Sequence, residues 1–175
     1  MTNILGGQGV VDSVEPCTEY LTFGPWLYLV PQFKPRSVLM LGYAGGTVAG
    51  LIRKLYGDDF PITGVDVNEP GHDPAGFGVE FVQADAGEFV KDMERREVII
   101  VDLWDENPSG LVFTPGFVAD VSSRCDYLIV HAIETSDMDA YSHLPKVRTL
   151  GLEYGARFHY FMVNRVGRAP FRGRV

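Results

Sequence analysis

A turn of small residues, residues 42–46 (GYAGG), could hold a ligand close to the main chain because glycine leaves the backbone open. The apolar run VLML precedes this turn and TVAGLI follows it, an order that predicts a strand, a tight turn and a helix. A second apolar run, ITGV, ends in Asp66 about 20 residues beyond the turn, the distance at which a βαβ unit returns an acidic side chain to it. Together these features predict a nucleoside site in which the Asp66 carboxylate binds ribose hydroxyls.

The positions of the small residues distinguish between cofactors. The dinucleotide pattern G-x-G-x-x-G, counted from Gly42, fits poorly because Ala44 and Thr47 stand where glycines belong. The pattern G-x-[GA]-x-G matches Gly42, Ala44 and Gly46. It is typical of enzymes that bind S-adenosylmethionine (SAM), a nucleoside that carries a sulfonium and has no pyrophosphate. The structural alternative is an ordinary strand-to-helix turn that uses glycines for positive φ.

Acidic residues also follow two later strands. VEFVQAD alternates as a strand does and ends at Asp85, whereas VIIV is a continuous apolar run, typical of a buried parallel strand, and ends at Asp102. These elements predict an α/β, Rossmann-like, doubly wound and mostly parallel sheet. In such sheets ligands bind at the carboxyl ends of the strands, where the strand order reverses. The turn and the three carboxylates are therefore predicted to face one crevice.

Four segments resemble, in order, motifs of the spermidine-synthase-like branch of the class I SAM-dependent methyltransferase fold. VLMLGYAGGTVAGLI is similar to its VLxLGLGGGxLxxxL segment, and ITGVDVNEP to its second-strand ending, with Asn68 where a second acid usually stands. VEFVQADAGEFV is similar to V-x-x-x-x-GDG-x-x-FL, and EVIIVDLWDENPSGLVFTPGFVADV to D-x-I-I-x-D-x-x-D-P followed by a helix. The resemblance covers residues 38–121 and implies a transferase that uses SAM or decarboxylated SAM.

The resemblance also implies roles for individual residues. Asp102 and Asp105 stand where the aminopropyltransferases of this branch have catalytic acids, so Asp102 is the candidate base or orienting residue and Asp105 a supporting one. A carboxylate there can orient an ammonium and accept its proton. The alternative for Asp105 is a turn former in D-E-N-P. The implied cofactor-binding set, with Asp85 in the adenine-contacting place, is Gly42, Tyr43, Ala44, Gly45, Gly46, Asp66, Val67, Asp85, Ala86 and Asp102.

Length and composition predict one domain over residues 1–175. The chain is long enough to bury a core, and 46% hydrophobic with 22% charged residues is ordinary for a globular protein. It shows no apolar stretch long enough for a membrane span and no signal-peptide pattern, so a soluble, cytoplasmic protein is expected. Cys17 and Cys125 are expected as isolated buried thiols, and no metal-ligand spacing is present.

The net charge of −8 is unevenly distributed. Residues 157–175 carry five arginines and no acid, so the preceding residues hold 10 of the 15 basic residues and all 23 acidic ones. An acidic body repels a nucleic-acid backbone and attracts cations, which favours a small-molecule partner, such as an amine, over DNA or RNA. The Arg-rich tail, residues 164–175, is expected to be solvated or to contact another subunit of a homo-oligomer, and a nucleic-acid-binding arm is the alternative.

Residues 1–35 are predicted to be a glycine-rich lead-in followed by an aromatic, broken helix. Tyr20, Phe23 and Trp26 in this segment either cover the cofactor cleft, as in the family, or pack in the core. The run EPGHDPAGFG has too much proline and glycine for the usual helix after the second strand, which predicts a trimmed fold.

The C-terminal half is predicted to end without a convincing seventh strand. A helix is expected over residues 137–152 and a sixth strand over residues 157–163. His131 follows the fifth strand and is the one histidine with a prospect of facing the site.

Three functions remain open. SAM-dependent methyl transfer is favoured because the sequence shows no N-terminal β-domain of the kind that aminopropyltransferases of the branch use for assembly and polyamine binding. Aminopropyl transfer from decarboxylated SAM is supported by the VDLWD segment and the acidic body. A non-catalytic SAM-fold protein acting in an assembly is supported by the trimmed helix and by the expected absence of a seventh strand. Fold alone does not identify the acceptor.

Overall fold

Seven strands form one mixed sheet with helices on both faces in a computed structural model, which describes residues 24–103, 114–132, 135–154 and 157–167. The strands are β1 (Val38–Leu41), β2 (Ile62–Asp66), β3 (Val79–Gln83), β4 (Arg96–Val101), β5 (Cys125–Ala132), β6 (Lys146–Tyr154) and β7 (Arg157–Arg165). The helices are α1 (Thr47–Tyr56), α2 (Ala86–Asp92), α3 (Pro115–Ser123) and α4 (Thr135–Ala140), and 3₁₀ turns cover Gly24–Leu29 and Ala75–Phe77. The predicted doubly wound, mostly parallel sheet is confirmed.

The strand order is β3-β2-β1-β4-β5-β7-β6. The first five strands of this order are parallel, and β7 runs antiparallel to both of its neighbours. The order reverses between β1 and β4, because the chain moves outward from β1 to β3 and then returns to the other side of β1. A ligand is therefore expected beyond the carboxyl ends of β1 and β4.

Each central strand contributes to two cores because successive side chains point to opposite faces of the sheet. Val38 and Met40 belong to the core that contains residues of α1, whereas Leu39 and Leu41 belong to the core that contains residues of α2 and α3. Burial on both faces explains why VLML and VIIV are uninterrupted apolar runs. Each buried Leu, Ile or Val side chain contributes about 1.5–3 kcal/mol.

The strand register brings the ends of β1, β2 and β4 together. Leu41 is paired with Val65 on one side and with Val101 on the other. The backbone ladder continues beyond the strands, because the Gly42 amide donates to the Val65 carbonyl and the Asp102 amide donates to the Leu41 carbonyl, both at 2.9 Å. The turn after β1 therefore lies between the ends of β2 and β4.

The last part of the sheet differs from the prediction. The helix expected over residues 137–152 is wrong: α4 ends at Ala140, and β6 begins at Lys146. Pro145, just before β6, has no amide hydrogen to continue a helix, and β6 pairs with β7 along its length. The weak or absent seventh strand is also wrong, because the segment expected as the sixth strand is the seventh.

The predicted lack of a helix between β2 and β3 is confirmed, since only the 3₁₀ turn Ala75–Phe77 lies there. The guanidinium of Arg53, a buried residue of α1, holds this connection in place. It donates to the carbonyl oxygen of Phe77 at 3.0 Å and to those of Asp58 and Gly78. These charge-assisted bonds satisfy the buried cation. One arginine thus anchors the segment where a helix would otherwise pack.

Within the described ranges, no helix is long and apolar enough to cross a membrane.

Cys125 in β5 is a free, buried thiol, and burial raises its pKa to about 12, so it is unreactive at neutral pH. Cys17, Tyr20, Phe23 and Asp105 lie outside the described residues.

Candidate functional site

The glycine turn, residues 42–46, is shaped by close contacts at both of its ends. Gly42 has a φ of +89°, and a side-chain carbon placed on it would lie 2.2 Å from the backbone oxygen of Asp102. Gly46 has a φ of +74°, and its added carbon would lie 2.8 Å from the Tyr43 hydroxyl oxygen. Both positions therefore require glycine. Ala44 is exposed and has a φ of +46°, which is uncommon for a residue with a side chain.

Tyr43 belongs to the predicted set, but its ring lies beneath the turn. Its side chain is buried and packs so closely on β2 that a carbon added to Gly64 would lie 2.6 Å from the ring. Its hydroxyl oxygen lies 2.9 Å from Nε2 of His72, on the loop after β2. The Tyr43 ring therefore supports the turn from the protein interior, and its backbone amide and carbonyl bond to Asp66 and Gly46.

His72 was not identified from the sequence. It connects the loop after β2 to the turn after β1, and the ring of Phe77 packs edge-on against it. Burial lowers the pKa of His72, and the nearby carboxylate of Asp73 opposes this effect. No local sequence signal marks His72, because its partner belongs to another loop.

Asp66 joins the end of β2 to the glycine turn. Its Oδ2 accepts hydrogen bonds from the backbone amides of Tyr43 at 3.0 Å and Ala44 at 2.9 Å. Its Oδ1 accepts from the amide of Asn68 at 3.0 Å. A carboxylate offers about four acceptor positions, so the described contacts leave one on Oδ1. Asp66 therefore fixes the turn and retains an acceptor for a hydroxyl.

Val67 follows Asp66, just beyond the end of β2, and is 55% exposed. Its carbonyl accepts a hydrogen bond from the Gln83 side chain at 3.1 Å, which fixes the backbone at this point. An exposed apolar side chain beside a carboxylate can pack against the base of a nucleoside whose ribose the carboxylate binds.

Asp85 and Ala86 lie at the next strand end. The Ala84 amide donates to the Asp66 backbone carbonyl at 2.9 Å, which places the start of α2 beside the end of β2. Asp85 is the N-cap of α2, and its Oδ1 accepts from the Glu88 amide at 2.9 Å. Ala86 is buried as the first residue of the helix. The spacing of Asp85 and Glu88 is that of a capping box, a local signal that predicts this helix start.

Asp102 lies at the end of β4 and contacts a pair of histidines. Its Oδ1 lies 2.7 Å from Nδ1 of His131, which is near the end of β5. Nε2 of His131 lies 2.8 Å from Nδ1 of His159 on β7. The side chain of Asp102 is 19% exposed and that of His131 is 7% exposed, so the carboxylate is the more accessible group. His131 thus contacts the site candidate Asp102, and His159 is a residue that the sequence did not predict.

Aromatic rings enclose the histidine pair, His131 and His159. The His131 ring stacks on Phe161, with 4.8 Å between centroids and 5° between planes. The Trp26 ring lies 5.8 Å from that of His131 and 6.0 Å from that of His159. Trp26 is partly buried and packs against the core, so it covers the pair and fills the core at once.

The described residues contain no group of three or more His, Cys, Asp or Glu side chains arranged to hold a metal ion. An open hollow of about 450 Å³ lies at the opposite end of the strands, lined by residues 34–36 and 56–61. These residues precede β1 and β2, at the amino ends of parallel strands, where doubly wound sheets do not place their ligands. The hollow therefore gives no candidate site.

The carboxyl ends of the strands carry groups that could hold a nucleoside. A ribose needs an acceptor for its hydroxyls, which Asp66 supplies, and a base needs an apolar surface, which Val67 supplies. A pyrophosphate needs open backbone amides at the helix start. In the turn that precedes α1, two amides donate to Asp66, whose carboxylate adds a negative charge there.

No protein-family model and no curated protein sequence match the chain. Solved structures do match its fold. TrmN from Thermus thermophilus superposes with a TM-score of 0.62 at 16% identity over 81% of this chain and 47% of that one. Magnesium protoporphyrin IX methyltransferase (ChlM) from Synechocystis, with bound SAM, gives 0.59 at 14% identity over 93% of this chain and 88% of that one. Spermidine synthase in complex with the transition-state analogue AdoDATO gives 0.65 at 16% identity over 87% of this chain and 63% of that one.

The chain therefore has the Rossmann-like fold of class I SAM-dependent methyltransferases, with the seven-stranded order 3214576 and an antiparallel β7. It shares this fold with both methyltransferases and an aminopropyltransferase, and spermidine synthase is one of several similar structures rather than a favoured one. The chain spans about half of the TrmN chain that it matches. Identities this low establish the fold and leave the reaction to be argued from the site.

Proposed function

We propose that this chain is a SAM-dependent transferase, most readily a methyltransferase, that acts on a small nucleophile. The observation that carries the proposal is the attachment of Asp66 to the glycine turn through two backbone amides, with an acceptor position retained on Oδ1. This arrangement lies at the carboxyl edge of a sheet whose fold is shared with structures that bind SAM or its product.

In the proposed complex, Asp66 accepts hydrogen bonds from the ribose, and Val67 packs against the adenine. The glycine turn lets the ligand approach the backbone between the ends of β1 and β4. Asp85 lies at the next strand end, where its free face can contact the base while Oδ1 caps α2. The turn is fixed before binding, so little ordering entropy is lost when the ligand arrives.

Asp102 is proposed to orient the acceptor and remove its proton. Bound SAM supplies an activated alkyl carbon, so the protein needs only to position the nucleophile and accept a proton. The Asp102 carboxylate is anchored by His131 through Oδ1, which leaves Oδ2 for the acceptor. Asp105, proposed as a supporting acid, is three residues further along the chain.

A small amine is the proposed acceptor class. The net charge of −8 attracts cations, and a carboxylate at the reacting edge binds an ammonium group. The same features support aminopropyl transfer from decarboxylated SAM as a second candidate, and the structure shared with spermidine synthase is compatible with it. A non-catalytic role in an assembly is the third candidate.

Calorimetric titration of the purified protein with SAM, decarboxylated SAM and methylthioadenosine separates the three candidates. Binding of SAM in the micromolar range is the expected result. Selective binding of the decarboxylated form would support aminopropyl transfer, because it would show that the site rejects the SAM carboxylate. Absence of binding to all three ligands would contradict the transferase proposal and leave the assembly role.

A further inference from the structure

The proposed function uses His131 only as the anchor of Asp102 Oδ1 and leaves its partner, His159, without a role. Asp102, His131 and His159 come from β4, β5 and β7, three strands that are adjacent in the sheet but distant along the sequence. They form two successive hydrogen bonds, of 2.7 Å and 2.8 Å. Both histidines are 8% exposed, so these bonds form away from bulk water and are stronger than they would be at the surface.

The chemistry of the atoms determines the direction of both hydrogen bonds. An ionised carboxylate only accepts, so Nδ1 of His131 carries the proton and donates to Asp102. In a neutral ring the other nitrogen is then an acceptor, so His159 must donate to it from its own Nδ1. Both rings therefore carry a proton on Nδ1, and the donor order runs from His159 to His131 to Asp102.

This order excludes other roles for His131. Both of its nitrogens are occupied by protein partners, so His131 is not itself the group that takes a proton from a substrate. An Asp–His pair can activate a serine or cysteine, but here the atom next to Nε2 is a ring nitrogen of His159. Direct contacts of 2.7 Å and 2.8 Å also leave no room for a metal ion between these groups.

We propose that His131 and His159 are positioning residues that hold the Asp102 carboxylate, with Oδ1 bound and Oδ2 turned to the acceptor. This inference rests on the proposed function for the identity of the reaction, but not for the hydrogen-bond order. During transfer, Asp102 Oδ2 takes the proton that the amine nitrogen loses as the nitrogen–carbon bond forms and the carbon–sulfur bond breaks, with its electron pair remaining on sulfur. His131 keeps its Nδ1 proton throughout and prevents rotation of the carboxylate.

Nitrogen NMR on protein labelled at the histidine ring nitrogens tests the donor order without any ligand. At about pH 8, His131 is expected to show protonated Nδ1 and unprotonated Nε2, and His159 is expected to show protonated Nδ1. In Asp102→Ala this preference is expected to be lost at both rings, because the acceptor that fixes the order is gone. His143→Gln is the control, since His143 is exposed and none of the described contacts of the pair involves it, and it should leave both tautomers unchanged. A protonated Nε2 on His131 in the unaltered protein would overturn the proposal.

A second measurement separates positioning from packing. His159→Gln retains an amide donor for His131, whereas His159→Phe fills the space without one. With SAM and propylamine as the probe, the rate of S-adenosylhomocysteine formation is expected to fall about tenfold in His159→Phe, the effect of one lost hydrogen bond, and to be largely retained in His159→Gln. The dissociation constant of SAM should be the same in both variants.

The outcomes distinguish failure of this inference from failure of the proposed function. Equal rates in the two His159 variants would contradict a positioning role, even if SAM binds. If SAM does not bind to the unaltered protein, the transferase proposal fails, and the tautomer spectra still decide whether the donor order exists.

Discussion

Asp66 lies at the carboxyl end of β2 and Asp102 just after the carboxyl end of β4, the two strands that flank β1. Their carboxylates are held in different ways. Asp66 receives hydrogen bonds from main-chain amides of the glycine turn and of the residue two positions later. Asp102 receives its hydrogen bond from a side chain, His131, that is itself held by a second side chain, His159. Gly42 lies between them. Its amide donates to a carbonyl of β2, and a carbon added to it would meet the Asp102 backbone oxygen.

Under the proposed function, this difference suits the two carboxylates to different tasks. Main-chain donors have fixed positions, which suits Asp66 to bind the same part of a cofactor in every turnover. The donor to Asp102 is a side chain whose tautomer sets the direction of the hydrogen bond, and the rings of Trp26 and Phe161 enclose it. This arrangement suits Asp102 to the acceptance of a proton. The comparison predicts that changes near Asp66 affect cofactor binding, whereas changes near the histidine pair affect the transfer rate.

The largest expected effect is at Gly42, because it touches both halves of the site. Gly42→Ala would place a carbon 2.2 Å from the Asp102 backbone oxygen at a φ of +89°. We expect the free energy of unfolding, measured in urea, to fall by about 3 kcal/mol or more from steric overlap and backbone strain together.

Gly57→Ala is the matched control for this change. Gly57 has a φ of +98° but no atom within 4 Å of an added carbon, so Gly57→Ala measures the cost of backbone strain without steric overlap. The fall in the free energy of unfolding should be smaller in Gly57→Ala than in Gly42→Ala. Equal losses in the two variants would show that the contact with Asp102 is unimportant.

Gly64→Ala should affect the Asp66 side alone. The new carbon would lie 2.6 Å from the Tyr43 ring, and displacement of the ring should move the turn amides that bind Asp66. We expect a loss of about 2 kcal/mol in stability and weaker SAM binding, with unchanged histidine tautomers. Gly116→Ala, on α3 with open space around it, should cost nothing. A changed tautomer in Gly64→Ala would show that the two carboxylates are not independent.

The smallest expected effect is a pH dependence from His72. Its folded pKa is lowered from 6.5 by burial, so the unfolded chain takes up the proton first as the pH falls. Stability should therefore decrease from about pH 6.5 down to the folded pKa, and this group should change it no further below that point. In urea unfolding at about pH 7.5 and about pH 5.5, His72→Gln should lose less stability than the unaltered protein.

His143→Gln provides the comparison for this pH dependence, because His143 is exposed and should leave the loss as it is in the unaltered protein. Identical losses in His72→Gln and the unaltered protein would contradict the assignment of the lowered pKa to His72.

The Asp66 half of the site could be predicted from the sequence because its parts are local. The glycine turn and the acid at the end of β2 belong to one βαβ unit, whose geometry fixes their spacing. The apolar runs VLML and VIIV identified the central strands for the same reason: burial on both faces leaves no polar positions.

The Asp102 half could not be predicted fully because it depends on pairing between distant strands. His159 reaches His131 only through the antiparallel pairing of β7 with β5, and the expected helix over residues 137–152 hid β6 and hence the true place of β7. Local propensity in this segment was outweighed by sheet pairing. Pro145 was the available signal against the helix. The roles of His72 and Arg53 likewise arise from contacts between separate loops.

The most direct test of the account is the dissociation constant of SAM, measured by calorimetry for the unaltered protein, Asp66→Asn and Asp59→Asn. Asp66→Asn keeps one oxygen for the turn amides but replaces the acceptor for the ribose, so binding should weaken about 30-fold, or by about 2 kcal/mol. Asp59 is an exposed acid before the opposite end of β2, so Asp59→Asn makes the same charge change away from the site and should bind as the unaltered protein does. Equal affinity in all three proteins would contradict the placement of an adenosine at Asp66.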